Sequence, residues 1–134
     1  MAAAEEAEAG DERGLDVEIR RDELGSTRVV DGPVAEPSAG QVLLRIDRFG
    51  LSTNNITFGV TGELLGYWKL FPSVDVAWGR VPVFGYADVV DSRHPDVVEG
   101  ARLFGYLPMS RFLLVEPAKV DARGFLDGAA HRRD

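Results

Sequence analysis

One short polar segment carries the side chains best placed to do chemistry. It consists of Ser52, Thr53, Asn54 and Asn55, and Tyr67 follows further along the chain. Hydroxyl and amide groups on a loop can orient a polar group of a substrate, and a tyrosine hydroxyl can donate a proton. The same residue types are also common in turns and helix caps. The segment therefore favours either a lip that faces a substrate or a plain turn, and the pattern leaves both open.

A predicted strand over residues 41–49 must position this segment. Val42, Leu44 and Ile46 recur at every second position, which is typical of a strand with one buried face. Gly50 ends the alternation immediately before the polar residues. A rigid strand that leads into a polar loop is a common way to place functional groups.

Composition narrows the class of protein. The chain has 134 residues, a formal net charge of −7 and no cysteine. The charge argues against nucleic acid or an anionic membrane as the main partner. Without cysteine there are no disulfides, no thiolate zinc sites and no cysteine nucleophile. No apolar run is long enough to span a bilayer and no secretory signal is recognised, so we expect a single cytoplasmic domain.

Most of the chain is typical of short strands separated by turns. Gly59, Gly62 and Gly66 limit any helix after Asn54 or Asn55, either of which could cap a short helical turn. Residues 118–134 show no clear period. Six or seven strands with little helix predict a mainly β fold, a sandwich or a partly open barrel. The predicted strands are residues 15–20 and 27–30, which would form a hairpin, then 41–49, 81–92, 102–107 and 111–115.

Three further residues are interpreted as structural. Trp68 is predicted to fill the core and Tyr86 to pack in the β-structure. Asp88 lies in an apolar strand, so it either faces solvent or pairs with Arg80 or Arg102. Gly85, in the same strand, predicts a bulge, a bend or a close backbone approach.

Several catalytic motifs are missing from the sequence. The glycine-rich turn of dinucleotide folds, the phosphate loop and the G-x-S-x-G nucleophile motif do not occur. His94 lies in a proline turn and His131 in a charged segment, and we interpret both as surface residues. A dinucleotide fold and a serine–histidine triad within this chain are therefore excluded.

The order of the pieces resembles the GroES-like N-terminal half of the medium-chain dehydrogenase/reductase superfamily, over residues 15–120. Members carry a strand of the form E-V-L-V-R-V, a turn of the form C-G-x-x-x-x-D or x-G-L-N-x-x-D, then P-G-H-E-x-x-G-x-V, G-D-R-V-x-G and Y-A-E-Y-x-x-V-P. The matching pieces here are Q-V-L-L-R-I at 41–46, F-G-L-S-T-N-N at 49–55, P-V-F-G-Y-A-D-V-V at 82–90, G-A-R-L-F-G at 100–105 and, loosely, S-R-F-L-L-V-E-P at 110–117.

A closer likeness is to the DUF2855 family, whose activity is not established. The chain resembles it through R-I-D-R-F-G-L-x-x-N-N-I-T, G-Y-W, W-G-R-V-P-V-x-G-x-A-D-V-V and F-L-D-G-A-A-H-R. These motifs lie at residues 45–57, 66–68, 78–90 and 125–132. The likeness implies a GroES-like, partly open β-barrel with short helical turns.

The superfamily resemblance also bears on metals. Zinc-dependent members hold the metal with a cysteine in the turn and a histidine in the P-G-H-E strand. Ser52 stands at the first position, and Phe84 or Tyr86 at the second, depending on register. A neutral hydroxyl and an aromatic ring are poor zinc ligands, so the resemblance implies no catalytic zinc. The four cysteines of the structural zinc site are absent as well.

The acidic composition of residues 1–14 predicts a disordered tail. The resemblance implies a GroES-like domain (15–120) and a truncated linker (121–134) toward a missing cofactor domain. It implies the substrate-side part of a zinc-independent reductase, with NADP possible in a full-length parent and no cofactor held here. The polar segment 52–55 and Tyr67 would then lie near the nicotinamide and the substrate carbonyl. A cofactor domain or a second copy of the chain is the expected partner. The alternative is a non-catalytic interaction module or an inactive remnant.

Overall fold

The structure is a computed structural model and describes residues 12–132. Over this range the chain forms strands in three antiparallel sheets, two short α-helices and two 3₁₀ turns. The predicted mainly β class is confirmed, and the sheets of this range do not close into a barrel. The strands are β1 (Gly14–Arg20), β2 (Glu23–Gly32), β3 (Val42–Gly50), β4 (Trp78–Gly79), β5 (Val83–Ser92), β6 (Arg102–Leu107), β7 (Phe112–Val115), β8 (Pro117–Asp121) and β9 (Gly124–Asp127), and the helices are α1 (Thr53–Val60) and α2 (Gly62–Leu65), with 3₁₀ turns at Tyr67–Lys69 and Ala130–Arg132.

The central sheet has the strand order β6-β5-β3-β7, so β3 is bonded on both sides. It pairs with β5 along its whole length and with β7 over its first four residues. Val42, Leu44 and Ile46 are buried, as their alternation predicts, and they pack in one core with Ala87 and Val89 of β5. This strand therefore holds the sheet together, and α1 follows its C-terminal end.

Gly85 allows β3 and β5 to come close together. A Cβ atom at this position would collide with the backbone carbonyl oxygen of Arg48 and with Phe49. The register between the two strands also shifts between Ile46 and Arg48. Of the alternatives that the sequence left open, the structure shows a close backbone approach next to a bulge.

The predicted hairpin is formed by β1 and β2, in a three-stranded sheet of order β2-β1-β4. β2 is longer than the predicted strand 27–30. It lies at a sheet edge and buries little apolar surface, so its sequence pattern is weak and only part of the strand was predicted. Residues 1–11 of the predicted tail 1–14 lie outside the described residues. Glu12 pairs with Arg45 at 2.7 Å, and Gly14 already begins β1.

The C-terminal segment contains a hairpin that its sequence pattern did not reveal. Within residues 121–134, interpreted above as a linker, Gly124–Asp127 forms β9 and pairs with β8. The register shifts between Ala118 and Asp121, and Lys119 has a positive φ of 52°. A bulge in such a short hairpin disturbs the two-residue period, and the pattern is lost.

Trp68 joins the helical segment to the β-structure. Its indole is 3% exposed, which confirms the predicted core position. A Cβ atom at either Gly62 of α2 or Gly79 of β4 would collide with the indole ring. Glycine is needed at both positions because the backbone lies directly against the ring. Within residues 12–132, the helices fall short of the length and apolar content that a membrane crossing requires.

Candidate functional site

The polar segment forms the junction between β3 and α1. Ser52 is the N-cap of α1 in extended conformation, where the sequence had suggested Asn54 or Asn55. Asn55 reaches back instead: its Oδ1 accepts a hydrogen bond from the Ser52 backbone N–H at 2.6 Å. Its Nδ2 donates to the carbonyl oxygen of Pro82 at 2.9 Å, and the residue is 3% exposed. Asn55 therefore fixes the helix start against the strand that leads into β5, and its side chain does not face a cleft.

The remaining residues of the segment form a solvent-facing edge that we call the polar lip: Ser52, Thr53 and Asn54. All three are exposed on the first turn of α1. Because Asn55 holds that turn in place, their hydroxyl and amide groups are presented from a fixed backbone. Such groups can hydrogen-bond a carbonyl oxygen from a defined direction.

A continuous series of rings, which we call the aromatic row, lies across β5 and β6. β5 and β6 each contain the triplet Phe-Gly-Tyr, at 84–86 and 104–106. The antiparallel register pairs the two triplets, so that each phenylalanine lies opposite a tyrosine. Ring centroids are 4.2 Å apart for Phe84 and Tyr106 and 5.0 Å apart for Tyr86 and Phe104. Phe84 and Phe104 lie nearly parallel, with an interplanar angle of 9°.

The aromatic row continues onto the helical segment. Phe58 of α1 contacts Tyr106 with its centroid at 5.9 Å, and Tyr67 packs edge-on against Phe58 at 4.8 Å. Tyr67, predicted as a cleft residue, is thus half-buried at the end of this row. Phe84, in the middle of the row, pairs with Gly50, the last residue of β3, which precedes Ser52 of the polar lip by two positions.

The four rings of the sheet are open to solvent, with exposed fractions from 42% to 63%. Taking about 200 Å² for each side chain, they expose about 400 Å² of aromatic surface. A contiguous apolar patch of that size on a protein surface usually has a function. A planar molecule can stack on these exposed rings, and Phe84 lies opposite Gly50, from which the chain leads into the polar lip.

Charged residues border the Tyr86 end of the aromatic row. Arg102 lies over the ring of Tyr86, at 5.2 Å from its centroid. It pairs with Asp88 at 3.1 Å, as one of the sequence alternatives predicted, and with Asp47 at 2.6 Å. Hydrogen bonds from Arg102 and then from Arg48 hold the pKa of the Asp47 carboxyl below its usual value. The charges of this group offset one another.

Helices α1 and α2 carry an apolar stripe on their outer side. Ile56, Val60 and Leu64 follow one another at intervals of four residues and are 58%, 69% and 85% exposed. This spacing places side chains on one face of a helical segment. We call these three residues the helical stripe. It adjoins the polar lip, and such an exposed apolar face is typical of a docking surface.

A cavity of about 960 Å³ lies between β6 and the β8–β9 hairpin, and Phe104 and Tyr106 of the aromatic row line part of it. Its lining does not include the polar lip, Asn55 or Tyr67. The cavity was not predicted because the sequence pattern did not reveal the hairpin. The aromatic row was missed as well, although the repeated Phe-Gly-Tyr triplet was a signal for it. In residues 12–132, histidine, aspartate and glutamate nowhere cluster in threes that could hold a metal ion.

Comparison with known proteins gives one family. The family model of DUF2855, a protein of unknown function, matches residues 49–134. This range includes the polar lip, the aromatic row, the helical stripe and the cavity lining except Leu44. None of the curated proteins matches the chain. Because the model matches well over half of its length, the chain belongs to the DUF2855 family.

Proposed function

We propose that the chain is the substrate-side domain of a zinc-independent, reductase-like protein of GroES-like type. The observation that carries the proposal is an open aromatic row in which Phe84 pairs with Gly50, two positions before the polar lip. A planar carbonyl compound can stack on Phe84 and Tyr106 while its oxygen accepts a hydrogen bond from the lip. The domain then binds and orients a substrate, and it supplies no reducing equivalent itself.

A nicotinamide cofactor, NADP in our proposal, does not fit the residues of this chain. A pyrophosphate is usually held by a glycine-rich turn between a strand and a helix, and the turn from β3 to α1 has the sequence F-G-L-S-T-N. The cofactor therefore belongs to a partner lobe. The helical stripe supports such a lobe because three exposed apolar side chains adjoin the polar lip. A cytoplasmic location without nucleic-acid or membrane partners is part of the same proposal.

The helical stripe by itself also suits a non-catalytic interaction module. The two functions differ at the polar lip, which only a substrate domain uses. A probe that contains both a ring and a carbonyl group separates them.

Acetophenone is such a probe, and two-dimensional NMR of the ¹⁵N-labelled chain locates its binding. We expect saturable shifts at the backbone amides of the polar lip and at Gly85, which lies between Phe84 and Tyr86 and does not line the cavity. Toluene, which lacks the carbonyl group, should shift Gly85 but not the lip. Acetophenone shifts confined to other regions, or none at all, would rule out the substrate role and leave the interaction module.

NADPH fluorescence tests the assignment of the cofactor to a partner. We expect no change in emission when the chain is titrated into NADPH, because its described residues offer no pyrophosphate site. Saturable binding of NADPH by the chain alone would contradict the proposal that a partner lobe holds the cofactor.

A further inference from the structure

We propose that the cavity between β6 and the β8–β9 hairpin binds an amphipathic anion, a molecule with a medium-length apolar body and one anionic head group. The cavity shares Phe104, Gly105 and Tyr106 with the aromatic row, but Phe84, Tyr86 and the polar lip do not line it, so its ligand is tested separately from the proposed function. Its volume of about 960 Å³ lies at the upper end of the range for small-molecule sites.

The interior of the cavity suits an apolar body. Its floor contains the buried side chains of Leu44, Leu107 and Val115, which belong to the main core. Leu113 of β7 and Phe125 of β9 pack against this floor and line the cavity as well. An apolar chain placed here would exclude water from both its own surface and these side chains.

The hairpin brings two cations to the cavity. Lys119 and Arg123 both line it, and neither forms an ion pair with another residue in the described range. Asp121 lies beside them, but its Oδ1 already accepts hydrogen bonds from the backbone N–H groups of Arg123 at 2.7 Å and Gly124 at 3.2 Å. The two cations are thus available to an anionic head group.

The acidic residue at the other end of the hairpin is also engaged. Oδ1 of Asp127 accepts hydrogen bonds from the backbone N–H groups of Glu116 and Ala129, both at 3.1 Å. The third cation of the lining, Arg102, pairs with Asp47 and Asp88 on the outer face of the sheet. A ligand head group therefore meets Lys119 and Arg123 without having to displace a side-chain carboxylate from either of them.

The backbone of Lys119 adds an independent observation. Its φ is 52°, and within residues 12–132 it is the one non-glycine residue with a left-handed backbone. L-residues avoid this conformation, and where it persists it often serves a site. Here it occurs in the bulge of the hairpin and places an exposed lysine at the cavity.

Dodecanoate is a suitable probe, used with the full chain below its micellar concentration in isothermal titration calorimetry. We expect saturable binding of one molecule per chain, and weaker binding of 1-dodecanol, which has the same body without the charge. Lys119→Met and Arg123→Met should each weaken dodecanoate binding about tenfold, the effect of one charge-assisted hydrogen bond. Leu113→Trp, which fills the interior, should abolish it.

Two exposed cations outside the cavity lining provide matched controls. Lys69→Met and Arg93→Met remove one charge each and should leave the affinity unchanged. The proposal is overturned if the native chain shows no saturable binding, or if 1-dodecanol binds as tightly as dodecanoate. It is also overturned if the two cavity variants bind dodecanoate as tightly as the two controls.

Discussion

At the scale of single residues, four neighbouring polar side chains have two different roles. The sequence groups Ser52, Thr53, Asn54 and Asn55 together, and their types suit both a turn and a site. The structure separates them because Asn55 contacts the carbonyl oxygen of Pro82, which lies 27 positions away. A partner so distant in sequence leaves no local signal, so this division could not be predicted.

Replacement of Asn55 tests the structural role. Asn55→Ala leaves the buried carbonyl of Pro82 and the N–H of Ser52 without their partner, so we expect a loss of about 2–3 kcal/mol in unfolding free energy. Chemical denaturation followed by circular dichroism measures it. Asn54→Ala is the matched control: its side chain is exposed, and we expect a change below about 0.5 kcal/mol. Equal effects of the two substitutions would contradict the assigned role.

At the scale of elements, prediction succeeded where the apolar residues themselves keep a two-residue period. β6 has the predicted bounds and β3 is shifted by one residue at each end, because Val42, Leu44 and Ile46 alternate although the register of β3 against β5 shifts twice. The β8–β9 hairpin escaped prediction because a bulge interrupts that period. Predicting the aromatic row required the register in which β5 pairs with β6, and neither strand's sequence gives that register alone.

The helical stripe gives a prediction at the same scale. We expect Val60→Lys to leave the unfolding free energy within about 0.5 kcal/mol, because this side chain is largely exposed. It should also lower the concentration-dependent association of the isolated chain, since it interrupts an apolar surface. Sedimentation velocity measures the association.

Thr57→Lys is the matched control for Val60→Lys. Thr57 is exposed on the same helix but outside the helical stripe, so the added charge should leave association unchanged. A large loss of stability in Val60→Lys would mean that the helical stripe packs within its own chain. The stripe would then no longer support the proposal of a partner lobe.

At the scale of the whole molecule, the central strand and the family match overlap only slightly. The match begins at residue 49, whereas β3 begins at Val42. The sheet that carries the aromatic row therefore depends on residues before the matched range. Val42, Leu44 and Ile46 are the core-facing residues of that strand, and all three lie outside the match.

We expect a polypeptide of residues 49–134 to remain unfolded. Burying each of the three side chains contributes about 1.5–3 kcal/mol. Their combined loss is comparable with the whole stability of a typical domain, about 5–15 kcal/mol. Far-ultraviolet circular dichroism and a thermal scan, with the full chain as reference, test this expectation. A cooperative thermal transition in the shorter polypeptide would show that β3 is dispensable.

The packing of Trp68 between two glycines gives the protein an optical sensor of its own. Indole emission depends on how well water is kept from the ring, and here α2 and β4 each cover one part of it. Any rearrangement that lifts the helices from the sheet would admit water and shift the emission to longer wavelength. Trp78, the other indole, is only partly covered and stacks with Arg28, so a Trp78→Phe variant would isolate the signal. Arrival of a partner at the helices could then be followed in real time without attaching a dye.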